Sequence, residues 1–338
     1  MNLVVQQGCI DRCRLVFLLL LVFGGPAAQA IDVVNPEVES FIDMMVGDHS
    51  FDRGTLEKIL RQAETQESIL EAIARPAERT KEWHEYRDIF LTAARVRAGA
   101  VFWREHSEDL QRISGETGVA IEILVGIIGV ETYFGRNTGN YRVLDALATL
   151  AFEYPPRSSF FRRELEQFLL LVREEGMDAA DATGSYAGAM GRPQFMPSSY
   201  REYAVDSSTD GRRDIWSNWA DVIGSIANYF VRHGWQTEMQ VVAQADLGRQ
   251  WHGDLPENTL KPAETVTSLS HQGVLFVTDL PGDHPSQLLT LEGNDGEEYW
   301  VGFHNFFVIT RYNRSVMYAL AVHQLGQEIA NEVNRGQA

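Results

Sequence analysis

Both cysteines of this chain, Cys9 and Cys13, stand upstream of the apolar run Leu15 to Phe23. That position constrains the fold more than any other feature. Arg12 and Arg14, the apolar run and the small residues around Gln29 in Ala28-Gln29-Ala30 together read as a secretory leader over residues 1–30, with the mature chain starting near Ile31. A lipid-modified cysteine would have to follow the apolar run, so no lipid anchor is expected. The run has nine residues, short of the roughly 18 that span a bilayer. The exported protein is therefore expected to be soluble in the periplasm. Without cysteines it has no disulfides and must be held by its own core. About 308 residues remain, enough for one large or two to three small lobes. Removing the leader takes away two cations and one acid, so the formal net charge of −18 becomes −19. Such a chain has no electrostatic footprint for nucleic acid or an anionic membrane. Acidity by itself is equally what keeps a secreted protein soluble.

The apolar spacing divides the rest. From Pro36 to about Gln111 the pattern is helical: Phe41, Met44 and Met45, then Leu56, Ile59 and Leu60, then Ser68, Ile69, Ala72 and Ile73 before Pro76. Residues 31–111 are read as a helical lobe. Residues 112–236, with apolar helices joined by Gly/Pro-rich connections, hold the chemically interesting positions and are read as the catalytic core. Residues 237–313 are read as a small β-containing lobe. It has short alternating runs at Gln287 to Leu291, Glu298 to Val301 and Phe306 to Thr310, and Gly293-Asn294-Asp295-Gly296 as a hairpin turn. A closing helix over 314–338, with Tyr318, Val322, Leu325 and Ile329 on one stripe, is expected to pack with the first lobe. The fold class is mainly α with a small β-containing lobe, that is, α+β.

The helix from Val119 to Thr132 (VAIEILVGIIGVET) carries two acids, Glu122 and Glu131, nine residues and about 180° apart. Glu131 shares a face with Leu124, Ile127 and Ile128. If that face packs inward, its carboxyl lies against hydrocarbon, and desolvation, which disfavours the charged form, outweighs the pull of the helix end. A carboxylic acid still protonated near neutral pH can protonate a glycosidic oxygen. A buried glutamate satisfied by a salt bridge or a backbone amide fits the same pattern. The segment Gly184 to Ser199 (GSYAGAMGRPQFMPSS) offers Ser185, Gln194 and Phe195 to a sugar, or alternatively tight helix packing with Ser185 as an N-cap. Asp206-Ser-Ser-Thr-Asp210-Gly211-Arg212-Arg-Asp214 places oxygen ligands at loop positions one, three and five and glycine at six, as an EF-hand does. Ser217 stands where the bidentate Glu would be, and a solvated Asp/Gly turn would read alike.

The strings Gly126-Ile-Ile-Gly-Val-Glu-Thr132, Leu144-Asp-Ala-Leu-Ala-Thr-Leu150, Gly184-Ser-Tyr-Ala-Gly-Ala-Met-Gly191, Gln194-Phe-Met-Pro-Ser-Ser199 and Ile226-Ala-Asn-Tyr-Phe230 closely resemble the lytic murein transglycosylase B family, glycoside hydrolase family 103. The resemblance runs from about Phe41 to the final helix. It implies a lysozyme-like catalytic core flanked by a helical lobe, and an enzyme that cleaves the β-1,4 bond between N-acetylmuramic acid and N-acetylglucosamine of peptidoglycan strands without water. The muramoyl C6 hydroxyl attacks C1 and leaves a 1,6-anhydro ring. The Glu of the Val-Glu-Thr string would be the catalytic acid/base, here Glu131. One carboxyl can serve both halves of that reaction, whereas a hydrolase normally needs two; Asp145, Glu153 and Asp214 are read as structural.

The same resemblance implies a glycan cleft lined by Ser185, Gln194, Phe195, Tyr229, Tyr312 and Asn313, with Tyr318 and Tyr86 as further matches. It also implies a structural Ca²⁺ held by Asp206, Ser208, Asp210, the Arg212 carbonyl and Asp221. No organic cofactor is expected. Two departures stand out. After Tyr154-Pro155 the family often carries paired arginines near the peptide stem, and here the first is Pro156, with Arg157 retained; contact with anionic stems is expected to be weaker. Tyr133 and Phe134 vary the aromatic pair after Glu-Thr. Cell-wall synthesis proteins are candidate partners, and a monomer is expected. Two rival readings are a muramidase, whose reducing ends differ from anhydro ends by one water, and a non-catalytic peptidoglycan-binding scaffold, which would bind sacculi without dissolving them.

Overall fold

The computed structural model describes residues 29–74, 81–252, 254–255 and 257–336. The expected leader up to residue 28, with both cysteines, and the helix-stopping Pro76 lie outside the described residues. Helices α1 (Pro36–His49) and α2 (Arg53–Leu60) start where Asn35 and Asp52 accept the amides of Glu37 and Thr55. These bonds satisfy donors that the first helical turn cannot. The two-residue strands β1 (Gln29–Ala30) and β2 (Glu64–Thr65) pair antiparallel, so the pairing reaches the last two residues of the expected leader. Helices α3 (Glu67–Ala74), α4 (Trp83–Phe90), α5 (Ala93–Glu105) and α6 (Ser107–Thr117) follow. No single helix among the described residues is long and apolar enough to cross a membrane.

Helix α7 (Ile121–Thr132) is buried continuously from Ile123 to Val130. The single inward face expected for it is therefore too narrow: neighbours surround the middle of the helix, and only its two ends, with Glu122 and Glu131, are partly exposed. After it come β3 (Tyr141–Arg142), α8 (Val143–Glu153), a 3₁₀ turn at Pro155–Arg157, α9 (Ser158–Glu175), β4 (Thr183–Gly184), α10 (Pro197–Tyr203) and α11 (Trp219–Arg232). Strand β3 pairs with β4.

The β region is a five-stranded antiparallel sheet in the order β6 (Glu264–Thr265), β8 (Pro285–Gly293), β9 (Gly296–Gly302), β5 (Val242–Leu247), β7 (Val274–Phe276). Helix α12 (Val266–Gln272) packs on this sheet, and a small core of Ala243, Ala245, Leu269, Val274, Leu288, Val301 and Phe303 fills its inner face. Strands β8 and β9 join through the Asn294-Asp295 turn, where Gly293 pairs with Gly296 and Gly296 takes φ 113°. The run Phe306 to Thr310, expected as a strand, lies instead in helix α13 (His304–Ile309). Every side chain from Asn305 to Ile309 is buried, and a short, almost wholly apolar run has no period to separate a strand from a buried helix.

The closing helix α14 (Val316–Arg335) begins at Ser315, whose hydroxyl accepts the Tyr318 amide. It buries Tyr318, Val322, Leu325 and Ile329, the stripe expected from their spacing, and packs on α7, α5 and α4. Glycines set its distance from α7. A Cβ at Gly126 would stand 2.4 Å from the Val322 carbonyl oxygen, and one at Gly326 would stand 2.1 Å from that of Glu122. Helix α4 also reaches the sheet: Trp83 Nε1 and Arg87 Nη1 each donate to the Glu298 carboxylate at 3.1 Å.

Candidate active site

Glu131 is the last residue but one of α7. Behind it Thr132 is fully buried, and its hydroxyl donates to the Arg192 carbonyl at 3.2 Å and accepts the Gly135 amide at 3.1 Å. The helix end is thus tied to the loop that carries Gln194. Tyr133, Phe134 and Gly135 then take successive left-handed conformations (φ 50°, 58° and 80°), which turns the chain sharply away. The Phe134 ring lies where side chains on Gly99 or Gly129 would otherwise stand.

The Tyr318 hydroxyl donates to Glu131 Oε1 at 2.5 Å. Burial, followed by the charge of Glu131, pushes the Tyr318 phenol well above its ordinary pKa, so it remains a donor through the neutral range. Tyr312 is shifted the same way for the same two leading causes, and its hydroxyl donates to the Pro193 carbonyl at 2.7 Å. Tyr86, buried on α4, is close enough to Tyr318 to act on it electrostatically. Glu131 therefore faces tyrosines rather than plain hydrocarbon. A phenol is a partner of a different kind from the salt bridge or backbone amide expected of a merely structural glutamate.

Ser185 is not a helix N-cap. Its Oγ accepts the Ala187 and Ala189 amides, at 3.2 and 3.1 Å, in a tight turn, which leaves the hydroxyl proton to donate. Gln194 takes φ 55° and spends its amide donors on the carbonyls of Thr138 (3.0 Å) and Gly191 (2.8 Å). Its carbonyl oxygen accepts nothing among the described residues. Ser185 backs onto Gly139, where a Cβ would meet the Ser185 amide at 2.7 Å, and Gln194 is bonded to the residue before, Thr138. A donor and an acceptor thus flank one loop. Phe195 is 2 % exposed and packs on Tyr229 and Tyr312, both 5.9 Å away between ring centroids. Its ring braces the wall and offers no open face to a sugar. Tyr229, also buried, donates to the Arg311 carbonyl at 2.6 Å, and Asn313 follows Tyr312 in the same turn into α14. Arg157 is exposed on its 3₁₀ turn, its guanidinium 4.5 Å from the Phe160 ring centroid.

The acids near Glu131 in sequence are engaged elsewhere or exposed. Asp145, 2 % exposed, binds Arg142 and accepts from the Glu64 amide and Gln66 Nε2, both at 3.0 Å. Asp214 accepts the amides of Trp216 and Ser217, and Glu153 is exposed at the end of α8.

Residues 34–327 match the transglycosylase SLT domain. The membrane-bound lytic murein transglycosylase B of Escherichia coli K12 is 44% identical over 307 residues, 88% of this chain and 83% of that protein. The chain belongs to the lytic transglycosylase family. Among solved structures, the catenated lytic transglycosylase SltB1 of Pseudomonas aeruginosa is 50% identical with a TM-score of 0.84, covering 88% of this chain and 98% of that one. The Escherichia coli lytic transglycosylase Slt35, solved in complex with calcium, is 43% identical with a TM-score of 0.80 over 90% of this chain and 96% of that one. The expected α+β class with a lysozyme-like core stands.

In this transglycosylase the acidic loop converges as its pattern suggests. Asp206, Asp210 and Asp221 each bring one carboxylate oxygen within 4.8 Å of the others. Asp221, in the first turn of α11, is fully buried and accepts the amides of Ser207, Ser208 and Asp214 at 2.8–3.0 Å. Ser208 donates to Asp206 Oδ1 at 3.2 Å. Three hard anionic oxygens, one on a buried carboxylate with no ion pair among the described residues, suit a divalent cation that prefers oxygen. Burial opposes ionisation of Asp206, but donors from Gly211, Asp210, Ser208 and Thr209 outweigh it and hold the carboxyl below its usual range. Two supports escape a sequence reading. One is Thr132, already described. The other is Glu164, buried at 5 % exposure, whose carboxylate accepts the Ser198 amide and hydroxyl at 3.0 and 2.7 Å and so holds the start of α10. Its position in α9 looks like any other charged helix residue.

Proposed function

We propose that Glu131 is the single acid/base with which this lytic transglycosylase cleaves the β-1,4 bond between N-acetylmuramic acid and N-acetylglucosamine. The carboxyl gives its proton to the leaving glycosidic oxygen as the C1–O bond breaks. The muramoyl C6 oxygen then bonds to C1, and its proton passes to the Glu131 carboxylate, closing the 1,6-anhydro ring and restoring the acid. The observation that carries this reading is the 2.5 Å bond from Tyr318 to Glu131 Oε1, which orients a partly exposed carboxyl at the end of a rigid, buried helix while the sequence-adjacent acids are held elsewhere or exposed.

The Ser185 hydroxyl and the Gln194 carbonyl together present one donor and one acceptor, which complement the C=O and N–H of an N-acetyl group. Tyr86, Tyr312, Tyr318 and Asn313 line the glycan path, with Phe195 and Tyr229 behind them and Arg157 at its margin. A Ca²⁺ held by Asp206, Ser208, Asp210, the Arg212 carbonyl and Asp221 would clamp the 206–214 loop to α11 and play no part in the chemistry. The protein acts on glycan strands in the periplasm as a soluble monomer, freed by cleavage of its leader.

Glu131→Gln keeps the shape and removes both the transferable proton and the later base. Strand binding is expected to survive while turnover falls by roughly 10⁴-fold or more. Wild-type products from purified sacculi are expected to be 1,6-anhydromuramoyl fragments with no label from H₂¹⁸O. Full activity of Glu131→Gln would overturn the residue, and quantitative ¹⁸O uptake would overturn the mechanism in favour of a muramidase.

A further inference from the structure

Helix α7 carries an acid at each end. Glu131 serves the proposed glycan site. Glu122, about 13 Å of helix rise away, borders a groove of about 610 Å³ where the starts of α7 and β5 meet α14 and the segment 277–280 that leaves β7. Nothing in the chemistry at Glu131 uses this groove.

The charge along it has one sign. Glu122, Glu238 and Asp279 line it together with His323, and no lysine or arginine does. None of the three carboxylates has an ion-pair or hydrogen-bond partner among the described residues. Burial brings the pKa of His323 down to about 4, so near neutral pH the ring adds no positive charge. The three carboxylates do not converge on one point as those of Asp206, Asp210 and Asp221 do. Acids spread in this way suit several cations spaced along a chain better than a single ion.

The rest of the groove is largely apolar, with Met239, Val241, Val277 and Leu280 in its walls, and it is formed in advance. Gln240 Nε2 donates to the carbonyls of Val242 and Val277 at 3.4 and 3.3 Å, and its Oε1 accepts the Thr278 hydroxyl at 2.7 Å. Strand β7 leads into the groove. It lies at one edge of the sheet, with β5 as its only strand neighbour among the described residues. Val274 and Phe276 face the small core, while the alternate residues Leu275 and Val277 are 58 % and 84 % exposed. The free side of an edge strand offers unpaired backbone N–H and C=O groups, and proteins commonly guard it with lysine, proline or a bulge. Here apolar side chains stand at that edge, and the acids stand beyond its end.

We propose that β7 and this groove dock an extended segment of a partner protein, an apolar stretch that adds to the sheet beside β7 joined to a short run of lysine or arginine that enters the groove. Main-chain bonds to β7 and contact with Leu275 and Val277 hold the apolar part. Glu122, Glu238 and Asp279 select the basic part. Because the groove and Glu131 lie at opposite ends of α7, the enzyme keeps its glycan site open while docked.

The test is fluorescence anisotropy of the purified protein with two labelled octapeptides, in which three lysines either precede or follow an alternating valine–threonine stretch, so that both strand directions are covered. One of them is expected to bind. Glutamates in place of its lysines, or N-methylation of the backbone amides in its apolar half, should each weaken binding by at least about ten-fold. Val277→Lys and Asp279→Lys should do the same while digestion of sacculi is unchanged. Hydrogen exchange on the wild-type protein should slow at residues 274–280 when the peptide is bound, a measurement that stands even if a variant does not fold. No binding of either peptide at millimolar concentration would overturn the proposal. Equal binding of the N-methylated peptide would reduce the effect to adsorption on an acidic protein, and protection confined to other segments would move the site elsewhere. Dimerisation of the protein alone, abolished by Val277→Lys, would assign the edge to a second copy of this chain instead.

Discussion

Gly326 of α14 lies against the Glu122 carbonyl of α7, so close that a Cβ there would stand 2.1 Å from the oxygen. With Gly126 set against Val322 in the same way, the two helices run antiparallel in a fixed register, and that register brings Tyr318 opposite Glu131.

Gly326→Ala and Gly126→Ala should therefore each destabilise the protein by about 1–3 kcal/mol, the usual cost of overpacking, and lower activity by shifting Tyr318 from Glu131. A Cβ placed on Gly115 in α6 would meet nothing within 4 Å, so Gly115→Ala should stabilise by up to about 1 kcal/mol through helix propensity alone. Denaturant titration of the three variants checks the contrast, and equal effects at all three would show that the helix contact is not tight.

Tyr318→Phe removes the hydroxyl without the ring. Hydrogen bonds to charged groups are worth about 1.5–3 kcal/mol, so kcat should fall by roughly ten- to a hundred-fold with little change in KM. An unchanged kcat would detach Tyr318 from the acid/base step.

Calcium should raise the melting temperature by mass action, by about 2.7 kcal/mol of added stability at a hundred times its Kd, and by more than magnesium, because a flexible oxygen-rich loop suits the larger ion. Asp210→Ala should erase the difference. Identical melting curves in chelator and in millimolar Ca²⁺ would leave the loop a simple turn.

Burial lowers the pKa of His323 to about 4 from 6.5, and its Nδ1 has no partner among the described residues. The folded form therefore binds the proton less well than the unfolded form. The stability this confers is complete above about pH 6.5 and is lost as pH falls towards 4. His323→Gln should flatten that part of the profile, by an amount on the order of 3 kcal/mol. A profile parallel to wild type between pH 7 and 4 would show that other groups govern it.

Local chemistry that needs only near neighbours was legible in the residues: the apolar helix around Glu131, the Asp206 to Asp210 loop with Gly211 at its turn, the stripe of α14 and the Gly293 to Gly296 hairpin. Each depends on spacing along a few turns of chain, and spacing is what a sequence records. Motif resemblance added Asp221 to the loop and assigned Glu131 its role. Tertiary structure decided the rest. The partner of Glu131 comes from 187 residues further along the chain, and no periodicity announces that Tyr318 would meet it. The apolar run at Phe306 became a helix because burial on all sides erased the period that would have shown it. Phe195, which looked like a sugar platform, was closed over by Tyr229 and Tyr312, and the acidic groove at the end of β7 formed only when α7, α14 and the sheet came together. Burial, ring contacts and the absence of a counter-charge belong to a site's surroundings, and those surroundings exist only once distant segments have packed.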